Sequence, residues 1–276
     1  LILSLDGLLL RLVTEASIWD VIFYRSIFVA AAISAFLLIK KRNDYLSIFY
    51  NFGRSGWIST ILMTLSSLLF VGAMANTSVA NTLVLVATMP FFSAVLGWLF
   101  LGEAVRLRTW VSISLACGGV LIIFSGSFGA SNWLGDSLAI LTAFLQGLNI
   151  VVIRKAKEKD VTVPAFCASA FLATLIALPL AQPMAVGIGD LFYLALMGLI
   201  IVPIGLGLFL SGARYAPAAE VALLALVETV LGPIWVWIGI GETPNQLALI
   251  GGSIVILSIT LNAWLGIYST RKKVLL

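Results

Sequence analysis

Apolar residues run in blocks of about twenty along this chain, separated by short polar stretches. A helix of that length crosses the hydrocarbon core of a bilayer, because about 20 residues at 1.5 Å each cover roughly 30 Å. Ten such spans can be marked. Span 1 is residues 1–14, span 2 Ile18–Ile39, span 3 Trp57–Asn76, span 4 Val79–Leu101 and span 5 Trp110–Phe124. Span 6 is Ser137–Ile153, span 7 Val163–Ala181, span 8 Leu191–Ala213, span 9 Pro217–Ile240 and span 10 Gln246–Ile267. All ten are expected to be helices, since backbone polar groups in lipid must be satisfied within their own segment. The pattern predicts an all-α integral membrane protein. The chain opens inside an apolar run, so span 1 is expected to be shortened at its N-terminus.

The pattern also repeats. Thr77–Glu103 lies over Ala216–Glu242, pairing Ala80 with Ala219, Trp98 with Trp237, Gly102 with Gly241 and Glu103 with Glu242. Both copies interrupt their helix midway, at Pro90 and at Gly232-Pro233. The chain therefore divides into a first five-helix repeat (1–125), a linker (126–136) and a second repeat (137–276). Five is an odd number, so the second repeat must run through the membrane upside down.

Charge supports this arrangement. Hydrophobic residues are 61% of the chain and charged residues 10%, against roughly 25% charged in a soluble domain. Fourteen of the 16 basic residues fall between spans 2 and 3, 4 and 5, 6 and 7, 8 and 9, or in the tail. With alternating spans all of these lie on one face, which the positive-inside rule assigns to the cytoplasm, together with the C-terminus and the N-terminus of an intact span 1. The opposite loops hold Glu15, Asp20, Asp136, Asp190 and Glu242. The net charge of +4 thus reflects topology and not nucleic-acid binding. There is no histidine, and Cys117 and Cys167 lack metal-ligand spacing. No cofactor or metal is expected, and little is left for enzymatic chemistry. A channel would need a polar ring, and the sequence shows none. The partners implied are the lipid bilayer, a small-molecule substrate and protons as coupling ion. A monomer would suffice.

Inverted repeats around a shared midplane are a recurrent architecture of secondary transporters. Several residues are candidates for their chemistry, each with a packing alternative. Glu228 lies near the centre of span 9, where an ionised carboxylate costs at least about 2.5 kcal/mol. It reads as a proton- or ammonium-binding group, or as a protonated packing residue. Asp6 and Arg25 lie at similar depth in spans 1 and 2. They can form a structural ion pair, or Arg25 can bind a substrate carboxylate. Arg11 is near enough to the surface to snorkel. Glu220 and its repeat partner Asn81 sit one turn inside their helices, as caps or cavity groups. Gln146 and Asn149, on successive turns of span 6, either bond across helices or line a cavity. Trp98 and Trp235 can stack on a substrate ring or belong to an interfacial belt. Pro90, Gly232, Pro233 and Pro203 mark helix breaks or hinges, the best sequence pointer to a transporter's binding site.

Tyr24-Arg25, the stretch ANTSVANTLVLVATMPFFSAVLGWLFLGE and its counterpart ARYAPAAEVALLALVETVLGPIWVWIGIGE resemble the EamA-type branch of the drug/metabolite transporter superfamily. The likeness covers nearly the whole chain. It implies a ten-helix carrier of the bacterial inner membrane, usually an exporter of amino acids or other small metabolites. Aromatic amino-acid exporters of the YddG type are the nearest likeness within the branch. Tyr24 joins Arg25 as a candidate on this ground. Span 9 departs from many relatives by reading Glu228-Thr229 where they have Glu-Pro. An uncoupled facilitator or channel, or a carrier of drugs or nucleotide sugars, is the alternative.

Overall fold

The computed structural model of the chain describes residues 2–40, 49, 53–102, 107–127, 132–155, 162–182, 186–215, 231–232, 234–242 and 246–274. Every regular element among them is helical. A 3-10 turn, Leu3–Leu5, leads into α1, Asp6–Leu12; α2 is Ile18–Lys40 and α3 Gly53–Asn76. Span 4 is two helices, α4 (Val79–Val86) and α5 (Met89–Leu101). Then follow α6 (Leu107–Ser127), α7 (Trp133–Lys155) and α8 (Thr162–Ala177). Span 8 is α9 (Ile188–Leu196), a π-helical turn (Met197–Ile201) and α10 (Val202–Tyr215). Residues 234–240 of span 9 are helical, and α11 (Gln246–Val274) forms span 10. Five described stretches are long and apolar enough to cross a membrane: Ile18–Ile39, Gly53–Asn76, Val79–Leu101, Trp133–Lys155 and Ile188–Leu208.

Local chemistry sets these boundaries. Ser78, in extended backbone, caps α4 by accepting the Asn81 N–H. The break in span 4 falls at Ala87–Thr88, and Pro90 occupies the first turn of α5, where its missing N–H costs least. Pro90 offers no N–H to the Val86 carbonyl one turn back. The paired Gly-Glu ends of spans 4 and 9 also gain a physical reason. Gly102 and Gly241 both adopt positive φ, 67° and 73°, and terminate their helices in the left-handed region. Helix α7 begins inside the stretch expected to be linker, so Asp136 lies in its first turn and is fully buried.

Helix packing follows the repeat. Spans 2 and 7 pair as α2 on α8, and spans 5 and 10 as α6 on α11, each against its counterpart in the other half. Helix α3 packs on α7 and α8, while span 8 packs on α1 and α2, which is the same relation with the halves exchanged. This is the pattern of ten helices in two inverted five-helix repeats. The buried core lies between the halves, and the outward faces of α2, α3, α6 and α11 carry exposed Leu, Ile, Phe and Trp, as a lipid-facing surface requires.

Candidate functional site

The two halves enclose a cavity of about 360 Å³. Sites for small molecules typically measure roughly 300–1,000 Å³. Its wall is apolar over most of its area, through residues such as Met63, Phe70, Leu83 and Phe166, with a polar arc from Ser26, Ser66, Ser67, Gln146 and Asn149. Among the described residues one acid and one base line it, Asp6 and Arg25.

Those two side chains are paired. Arg25 Nη2 donates to Asp6 Oδ2 at 3.0 Å, with the side chains only 12% and 8% exposed. Arg25 Nη1 reaches Ser67 Oγ at 3.4 Å. Among the described residues the pair is incompletely satisfied, because Asp6 Oδ1 and Arg25 Nε are buried there without hydrogen-bond partners. Asp6 also lies in the first turn of α1, where the helix dipole favours a carboxylate. Arg25 is held in place by a close helix crossing. A Cβ on Gly198, in the π turn of span 8, would lie 2.8 Å from the Arg25 carbonyl and 2.5 Å from Phe28 Cβ. The Val202 N–H reaches back to the Met197 carbonyl, the five-residue spacing of a π turn, just before Pro203. Such turns recur at functional positions.

The remaining candidates divide by location. Pro90, Gln146 and Asn149 line the cavity, as do Val86 and Ala87 at the break in span 4. Asn149 is also engaged in packing, accepting a 2.6 Å bond from Ser59 Oγ on α3. Asn81 is buried away from the cavity, where its Nδ2 donates to Asp136 Oδ1 at 3.2 Å. Thr77 Oγ1 donates to the same oxygen at 2.6 Å. Tyr24 packs among Phe23 and Phe28, with ring centroids 5.3 and 5.9 Å away. Trp98 is 47% exposed and meets Trp110 edge to face, outside the cavity. Trp235 is half-buried and donates to Ser4 Oγ at 3.1 Å, tying span 9 to the turn before α1. Gly232 is buried against Leu83. Glu220, Glu228 and Pro233 lie outside the described residues.

Several polar residues make contacts that sequence reasoning did not assign. Asp190 accepts the N–H groups of Thr14, Glu15 and Ala16 at 2.8–3.2 Å. Asp20 accepts the Gln182 N–H at 2.6 Å. Arg11, expected to snorkel, instead lies 3.1 Å from Glu242 and donates to the Thr77 carbonyl at 2.5 Å. The available signal was that most acids of the base-free loops sit at helix starts.

The cavity has a direction. It extends along Asn149, Ile150 and Ile153 of α7 to Thr162 at the start of α8, the end of the bundle that carries Arg154 and Lys155. The lining includes none of Thr77, Asp136, Asp190 or Glu242 at the opposite end.

Comparison with known proteins agrees with a carrier. The chain is 28% identical over 191 residues to "Uncharacterized transporter YdfC" of Bacillus subtilis, covering 62% of this chain and 58% of that protein. It is 28% identical over 187 residues to the "Probable terminal-alkyne amino-acid exporter" of Streptantibioticus cattleyicolor, covering 64% and 61% of the two chains. "Pseudopaline exporter CntI" of Pseudomonas aeruginosa is 26% identical over 189 residues, with 67% and 66% covered. The chain thus spans about three fifths of the length of the first of these relatives. One crystal structure superposes with a TM-score of 0.70 over 96% of this chain and 93% of that one, at 16% identity, which shows a shared fold. The sequence profile of one family matches residues 2–125 and again 133–264, once in each half. With a cavity between its duplicated halves, the chain belongs to the EamA-like transporter family, and its five described membrane-length helices make it a multi-pass membrane protein.

Proposed function

We propose that the protein exports small metabolites bearing both an ammonium and a carboxylate group, as amino acids do, across the bacterial inner membrane by alternating access. One observation carries this reading: among the described residues one acid and one base, Asp6 and Arg25, are paired on the wall of an otherwise largely apolar cavity. A ligand carboxylate fits the guanidinium bidentately, and its ammonium fits the carboxylate. Such a ligand adds no net charge to a low-dielectric site, whereas a lone ion there is costly. The apolar wall takes the rest of the ligand and leaves room for a ring or branched side chain. Relatives named as amino-acid and pseudopaline exporters support the substrate class.

In this reading the boundary between repeats lies at 126–136, and the basic loops and C-terminus face the cytoplasm. The cavity then faces the side from which an exporter loads. Spans 4 and 8 supply the bending points at Pro90 and Pro203. Protons drive the cycle, carried on Asp6 or Glu228.

Thermal unfolding of the purified protein with amino acids, amines, simple carboxylates and nucleotide sugars tests the substrate class. A neutral amino acid at 100 times its dissociation constant should stabilise by about 2.7 kcal/mol. Counterflow of that ligand into proteoliposomes, with and without an imposed pH gradient, reads transport and coupling. Stabilisation by nucleotide sugars and by no amino acid would overturn the substrate class. Counterflow indifferent to the gradient would remove the proton.

A further inference from the structure

At the end of the bundle opposite Arg154 and Lys155, polar contacts gather the helices into two groups. Asp190 binds the α1–α2 loop to α9, and Asp20 binds the start of α2 to residue 182 beyond α8. These make one group. Asp136 binds the corner between α3 and α4, through Thr77 and Asn81, to the start of α7. This is the second group. Among the described residues, Arg11 and Glu242 bridge the groups with polar contacts. Arg11 of α1 donates to the Thr77 carbonyl at 2.5 Å and pairs with Glu242 at 3.1 Å. Glu242, just past span 9, uses its other oxygen to accept the Val79 N–H at 3.1 Å, which caps α4.

We propose that Arg11 and Glu242 are the exit gate of the carrier: a latch between the two groups that must part before the cavity can open on the outer face. The proposal rests on the alternating-access reading given above. Two further observations support it. The latch is partly accessible, with the Arg11 and Glu242 side chains 29% and 27% exposed against 12% and 8% for the Arg25 and Asp6 side chains, although Arg11 Nε itself is buried. It also shares a helix with the binding site. Asp6 and Arg11 are five residues apart in α1, roughly 7.5 Å along the axis, on different faces of the helix. A ligand that draws Asp6 away from Arg25 therefore moves the short helix that carries half of the latch. Neither residue touches the ligand; both act by setting which face is open.

The test is sided labelling of a cysteine in the cavity wall, Met63→Cys, in full-length protein with Cys117→Ala and Cys167→Ala. A membrane-impermeant maleimide is applied to right-side-out and to inside-out vesicles. With the latch intact, labelling should occur from the cytoplasmic face alone. Glu242→Gln and Arg11→Ala should add labelling from the outer face, about tenfold faster than background, as loss of a charge-assisted hydrogen bond from the closed state implies. Arg11→Lys keeps the charge but not the forked donor, and should fall between; it serves if Arg11→Ala does not insert. The exchange Arg11→Glu with Glu242→Arg should not restore closure, because a carboxylate cannot donate to Thr77 and a guanidinium cannot accept from Val79. Outer-face labelling absent from every variant that still labels from the cytoplasm overturns the gate. Parent protein that labels equally from both faces overturns the alternating-access reading itself.

Discussion

The Asp6–Arg25 pair makes a prediction that can be worked through in energy. Asp6→Asn removes the charge and keeps the shape. In the native protein the charged atoms are 3.0 Å apart and both side chains are less than one-eighth exposed. Their gross attraction at an effective dielectric of 20 is about 5 kcal/mol. Much of that is offset by desolvation of the two ions, so the pair contributes far less than this to net stability. Removing one partner is different, because it leaves the other ion buried and uncompensated, at about 3–5 kcal/mol. The Asn amide oxygen still accepts a hydrogen bond, which places Asp6→Asn near 3 kcal/mol, and Arg25→Gln should cost a similar amount. At about 2–4 °C per kcal/mol for a chain of this order, each lowers Tm by roughly 6–12 °C. The double variant leaves no buried ion, so its loss should fall short of the sum by about 2 kcal/mol or more. Thermal unfolding of all four proteins in one detergent closes the cycle. Single variants within 1 °C of the parent, or a strictly additive double variant, would refute a desolvated pair at this site.

Two other outcomes follow from the packing. Gly135→Ala and Gly232→Ala both place a Cβ too close to a neighbour, but Gly135 meets Asn76 and Thr77 backbone at 2.6–2.7 Å whereas Gly232 meets the tip of the Leu83 side chain. The first should lower Tm the more, by about 1–3 kcal/mol of overpacking, since backbone cannot rotate away. Asp190→Ala strips acceptors from three N–H groups. Amide hydrogen exchange at Thr14, Glu15 and Ala16 should accelerate while exchange in α3 stays slow, and unchanged rates at the three amides would remove the anchoring role.

How much of this was legible beforehand depends on the range of each interaction. Apolar block length is a local signal, so the spans and their repeat could be read directly. Asp6 and Arg25 could be paired on paper because depth along two consecutive helices follows from counting residues to a shared surface. Arg11 could not be resolved the same way. Its distance from the surface suggested snorkelling, but its partner Glu242 is 231 positions away and joins it only once spans 1 and 9 pack. Asp136 looked like a loop residue because the Gly/Ser/Asn run before it resembles a linker, yet Gly135 lets the start of α7 press against the Thr77 backbone and buries the carboxylate. Pro203 announced a disturbance in span 8, but a proline can be accommodated by a kink or by a wider turn. The close approach of Gly198 to Arg25 accompanies the second outcome here.

The two charge pairs differ in the way a carrier needs. A pair exposed by about a quarter, like Arg11 and Glu242, is held by about 1 kcal/mol of ion pairing plus its backbone bonds, and its charges need less desolvation than those of a buried pair. A buried pair, like Asp6 and Arg25, cannot separate cheaply unless something replaces each partner. A zwitterion replaces both together, with carboxylate for carboxylate and ammonium for guanidinium. In the proposed cycle the latch holds the outer face of the empty protein closed, while a bound zwitterion draws Asp6 from Arg25 and frees α1, and with it Arg11. On this ordering the buried pair makes opening depend on substrate, and the exposed latch determines the side on which opening occurs.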